Sequence, residues 1–106
     1  MLKSSVTILT NKTTYLEKTM SRPEPMNGEI FKHFKNNYYH IICVGHHSET
    51  EERMVVYERI SKDDYLQDKS VKPIMEPCIR PLDMFMSEVD HVKYPDVKQK
   101  YRFERL

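Results

Sequence analysis

Five histidines, two cysteines and one arginine held in front of a proline are the residues of this 106-residue chain whose chemistry could serve a site. Arg80-Pro81 is the sharpest unit among them. A proline disfavours helix at the residue before it, so Arg80 is presented from extended backbone. A guanidinium held in one place grips carboxylate or phosphate through parallel N–H donors, which makes Arg80 the expected anion contact. His47-Ser48-Glu49 sets a base, a nucleophile and a carboxylate in succession. Neighbours on a turn point apart, whereas a catalytic triad converges from separate segments, so no enzyme is expected from this run. His47, Ser48, Glu49 and Thr50 are instead expected to form a polar turn that offers hydrogen-bonding partners to a ligand.

Metal chemistry needs three or four converging ligands. His33 and His40 become cross-strand neighbours if a hairpin closes on Asn36-Asn37, but Cys43 then points to the other face and no third ligand follows. Neither a metal nor a cofactor is expected. Cys43 and Cys78 stand alone in separate strand-like runs and read as reduced thiols.

The elements that must position these residues are strands. Gly28–Lys35 and Tyr38–His46 are β-rich runs flanking Asn36-Asn37, and asparagine tolerates the positive φ of a two-residue type I′ loop. That loop sets Phe34 opposite Tyr39, His33 opposite His40 and Phe31 opposite Ile42. Ile30, Phe34, Tyr39, Ile41 and Cys43 then share the core face, while Phe31, His33, Tyr38, His40, Val44 and His46 share the face expected to carry function. Met54–Ile60 reads as a third strand that brings Tyr57, and with Phe31 and His33 it completes the aromatic side of the expected ligand site. Ser61–Glu76 is a polar excursion with at most one helical turn, Cys78–Arg80 a short strand, and Leu82–Met86 a short helix or 3₁₀ turn. Tyr101–Glu104 closes an antiparallel meander of five to six strands, so the fold class is mostly β.

Residues 1–27 read as an extension and linker, of which the first nineteen are expected to be dispensable for this domain. Val6, Ile8 and Thr10 alternate as an added edge strand would, and Ser21-Arg22-Pro23-Glu24-Pro25 forms an extended linker. Met20 offers an alternative start. The domain proper is expected over residues 28–106. A net charge of +1 with interspersed signs sets up no large field for a polyanion, so nucleic-acid binding is disfavoured. Lys93, Lys98, Lys100, Arg102 and Arg105 nevertheless outnumber the acids of the final strand region. With neither an apolar leader nor a membrane-length apolar run, the expected location is cytoplasmic.

Gly28–Lys35 with Tyr38-Tyr39, His47–Thr50, Val55-Val56-Tyr57, Arg80–Phe85 and Arg102-Phe103 resemble, in order, the bacterial and phage family DUF1653. Cys43 and Cys78 depart from that pattern, standing where a glycine and a tryptophan are usual. The resemblance runs from about Gly28 to Phe103, and implies an SH3-like β-barrel without an assigned activity. Residues and resemblance together lead to the expectation of a non-catalytic binding module for a small anionic or nucleotide-like ligand. A homo-oligomer is an expected form of that binding module, and a protein-interaction module docking through the extension or a sheet edge is the first alternative. A weak nucleic-acid binder using the basic terminal strand is the second.

Overall fold

The computed structural model describes residues 22–106. The expected edge strand around Val6–Thr10 and the alternative start at Met20 lie outside the described residues. In chain order the elements are β1 (Ile30–His33), β2 (Tyr38–His46), β3 (Arg53–Ile60), α1 (Lys62–Asp68), β4 (Cys78–Pro81), α2 (Leu82–Phe85) and β5 (Phe103–Arg105). The strands form one antiparallel sheet in the order β4-β3-β2-β1-β5. Among the described residues β4 and β5 do not pair, so the sheet is open.

The β1–β2 hairpin corrects the expected register. Its loop is three residues long, Phe34-Lys35-Asn36, because the Asn36 amide donates to the His33 carbonyl at 2.7 Å and the His33 amide donates to the Asn37 carbonyl at 2.8 Å. Asn36 takes the left-handed conformation, with φ 74, that ends a type I turn with a one-residue bulge. Pairing therefore runs Ile30↔His40, Phe31↔Tyr39 and Lys32↔Tyr38. This is an odd shift from the expected register, and an odd shift exchanges the faces of β1. Phe31 is fully buried, and His33 sits on the same face opposite Phe103. Phe34 moves into the turn. His33 and His40 end on opposite faces, His40 bonding Glu58 across β2–β3 at 2.9 Å.

A second irregularity lies in β2, where a bulge between Ile41 and Cys43 resets the alternation. Val44 rather than Cys43 follows Ile41 onto the core face, and Val56, paired with Cys43, turns outward. Phe31, Ile41, Val55, Tyr57, Phe85 and Phe103 make the core, with Tyr39, Val44, Cys78, Leu82 and Met86 packed against them.

The open sheet is strongly curled. Tyr57 on β3 and Phe103 on β5 are separated by two intervening strands, about 14 Å across a flat sheet, yet their ring centroids are 5.5 Å apart. Between them Phe85, carried on α2, stacks on Phe103 at 4.1 Å and 9° and meets Tyr57 at 5.2 Å. The short helix thus plugs the concave face.

Helix α1 is longer than the single turn expected. Its N-cap Ser61 hydroxyl accepts the Asp64 amide, Asp63 and Asp64 complement the positive end of the helix dipole, and Lys69 closes the C-terminus in the left-handed conformation. Tyr65 from this helix covers Tyr38 on the sheet's outer face at 5.7 Å.

The segment before β1 is tied to the fold. Arg22 donates to the Met86 and Phe103 carbonyls and lies over the Tyr101 ring at 3.8 Å. Pro25 is buried, and Arg105 bonds the carbonyls of Pro23 and Glu24 as well as the Glu29 carboxylate. Residues 22–25, upstream of the residue-28 boundary read from the sequence, thus contact the domain.

Candidate functional site

Curling the sheet leaves a cleft at one rim of the concave face, where His33 at the end of β1 meets the side chain of Arg80 from β4. Its volume is about 290 Å³, and it is lined by His33, Phe34, Lys35, Arg80, Asp90, Lys93, Tyr94 and Arg102. Four of these are cations and one is a carboxylate.

Each cation is brought in by a different segment. Lys35 comes from the β1–β2 turn, where its amide donates to His33 Nδ1 at 3.1 Å. Arg80 projects from the core-facing register of β4, opposite Val55, and Pro81, expected to bound that strand, is instead its last residue, paired with Met54. Its Nε donates to the Tyr57 hydroxyl at 3.1 Å, and its guanidinium lies 5.9 Å from the Phe103 ring. Lys93 is set by a tight turn in which Asp90 Oδ1 accepts the amides of Val92 and Lys93 at 3.0 and 3.1 Å. The Asp90 carbonyl accepts from Tyr94 at 2.8 Å, which seats the Tyr94 ring 5.0 Å from Phe34. Arg102 has its backbone held on both sides, donating to the Ser87 carbonyl and accepting from Phe34, each at 3.0 Å. Gln99 reinforces this by donating to the carbonyls of Lys32 and Tyr101.

The electrostatics follow from that convergence. Among the described residues no carboxylate lies within salt-bridge distance of Lys35, Arg80, Lys93 or Arg102, although Arg53, Lys72 and Arg105 elsewhere are all paired. Arg80 in particular is not neutralised by Glu49 or Glu52. His33 registers the resulting field: burial, then Lys35, Arg80 and Arg102, push its ring down from 6.5 to about 4. The imidazole is therefore neutral at pH 7, with Nδ1 occupied by the Lys35 amide and its proton on Nε2. Burial raises the Tyr57 phenol against the opposing influence of Arg80, so the hydroxyl stays protonated while it accepts the Arg80 Nε–H. Backbone amides of Lys93 and Val92 lower Asp90 and keep it ionised.

The structure brings together Arg80, His33 and, beneath them, Tyr57. Phe31 packs at 5.3 Å against Phe85 in the core. His47, Ser48, Glu49 and Thr50 form the β2–β3 loop, at the opposite end of β2 from the turn carrying Phe34 and Lys35, and none of them lines the cleft. His47 Nδ1 accepts the Glu49 and Thr50 amides and Thr50 Oγ1 accepts the Glu52 amide, so this loop organises its own backbone. Lys35, Lys93, Tyr94 and Arg102 were not among the expected site residues. The basic surplus of the last fifteen residues was the available signal, and it pointed to a strand edge rather than a cleft.

No curated protein and no solved structure matches the chain. The family model described as "Protein of unknown function (DUF1653)" matches residues 29–105. That span holds all five strands, both helices and every residue lining the cleft. With every strand and helix of the described fold inside the match, the chain belongs to the DUF1653 family of proteins of unknown function.

Proposed function

We propose that the chain is a non-catalytic binding module whose rim cleft holds one small anionic ligand. The observation that carries this reading is the convergence of Lys35, Arg80, Lys93 and Arg102, from four segments and without ion-pair partners among the described residues, on one cleft of about 290 Å³. Like charges gathered in a concave, partly desolvated place repel one another, and an anion relieves that repulsion. Arg80 spends Nε on Tyr57 and keeps both terminal nitrogens for a ligand. The rings of Phe34 and Tyr94 at the rim suit a ligand with a planar part, which is the basis for a nucleotide-like molecule. One nitrogen of His33 and one oxygen of Asp90 are committed to backbone amides, so the lining presents donors rather than an activated nucleophile.

Calorimetry with inorganic phosphate and adenosine 5′-monophosphate tests the proposal. The native protein binds at least one of them, and Arg80→Lys, which keeps charge but loses the fork, binds about tenfold more weakly. Absence of binding by the native protein, or equal binding by the variant, removes the reading. The proposal includes a cytoplasmic location and an SH3-like barrel form for the curled sheet; the ring contacts across the concave face support the latter.

A protein-interaction reading also has an observation in its favour. Ile79 on the edge strand β4 is 66% exposed, and Ile74 and Met75, shortly before it in the chain, are 53% and 54% exposed. If this edge mediates self-association, Ile79→Asp lowers the mass seen by sedimentation; an unchanged monomer in both proteins dismisses it.

A further inference from the structure

We infer that the cleft selects an anion bearing two charges on one terminal group, a phosphomonoester, over singly charged phosphodiesters and carboxylates. The inference rests on the anion-binding reading above and narrows it to a ligand class. With His33 neutral, four cations against Asp90 leave three positive charges in excess within about 290 Å³. A monoanion leaves two of those charges uncompensated, whereas a dianion leaves one, and the difference is felt most where water is partly excluded. Geometry favours a compact, terminal group as well. The cations come from the turn after β1, from β4, from the 90–94 turn and from the residue before β5, so four separate segments surround one cleft instead of following one another along a single strand. A phosphodiester strand needs a groove with cations in file along it. A terminal phosphate presents three oxygens that such a surround can reach together.

The protein's own charge in the cleft is steady across the range in which a phosphomonoester titrates. His33 is faced by Lys35 in its turn, Tyr39 on β2, Arg80 on β4, Arg102 and Phe103 at β5, and Asp90, Lys93 and Tyr94 across the cleft. Burial and the charges of Lys35, Arg80 and Arg102 keep it unprotonated until about pH 4. The second ionisation of a phosphomonoester lies near pH 6, so the ligand and not the cleft changes charge between about pH 7.5 and pH 5.

Calorimetry on the full chain with four probes separates the outcomes. Sulfate and methyl sulfate hold two charges and one, respectively, at every pH used, and adenosine 5′-monophosphate is compared with its 3′,5′-cyclic diester. The expected result is that sulfate binds about tenfold or more tightly than methyl sulfate, and the monophosphate similarly exceeds the cyclic diester. The monophosphate should weaken several-fold from about pH 7.5 to pH 5 while sulfate does not. In Lys93→Gln, which removes one charge from an exposed turn, the sulfate preference shrinks. Equal affinities within both pairs, with binding intact, overturn the selectivity and leave anion binding standing. No binding of any probe overturns both.

Discussion

Arg80 is fixed three times over: by the β4 pairing with Val55, by the proline that follows it, and by the Tyr57 hydroxyl on its Nε. Preorganisation of that kind lowers the entropy lost when a ligand is gripped, and it is why Arg80→Lys should weaken the ligand while leaving the fold in place. The lost bond to Tyr57 costs about 1 kcal/mol. His33 carries the pH signature of the same site. Its folded-state value of about 4 lies below the ordinary 6.5, so between those values the unfolded chain takes up a proton that the native state refuses. The contribution to stability is whole above pH 6.5 and is lost as pH falls toward 4. Chemical denaturation at stepped pH should show the native protein losing stability over this window and His33→Gln losing less; identical profiles would mean that His33 is not held neutral by the fold. Arg80 and His33 were both legible in the sequence because proline restriction and strand placement are local facts. Their meeting was not, because it depends on a sheet curling until β5 lies over β3.

The β1–β2 hairpin shows where local reading fails. Asn36-Asn37 suits a two-residue loop, but the chain uses the positive φ of Asn36 to finish a three-residue turn instead. Tertiary packing decides the choice. The observed register puts the Phe31 ring against Phe85, whereas the alternative would leave that ring on the outer face. A pair of truncations separates the registers. Phe31→Ala should cost about 3 to 5 kcal/mol, as expected for a large side chain in a closed core. Phe34→Ala should cost clearly less, since Phe34 is half-buried against Tyr94 in a turn. The reverse order in urea melts would restore the two-residue loop. Asn36→Gly should be tolerated, and Asn36→Ala should destabilise by about 1 kcal/mol, because alanine meets a steric penalty at positive φ that glycine escapes.

Across the whole molecule, the meander and the strand sequence were readable from alternation and prolines, and the family match spans the same residues. The bulge at Ile42, the open edge between β4 and β5, and the docking of Arg22 were not, since each answers to contacts distant in sequence. Arg22→Ala removes two bonds to carbonyls and the contact with Tyr101, and should lower stability by about 1 to 3 kcal/mol. An unchanged melting temperature would detach residues 22–27 from the fold. Following backbone and histidine signals by NMR as inorganic phosphate is added shows whether the rim cleft is where this protein meets an anion. Lys35, Arg80, Lys93 and Arg102 should shift together and saturably, along with the His33 ring, while Ser48, Glu49 and Thr50 stay still. Saturable shifts confined to the His47–Thr50 loop, or none at any site, would contradict it.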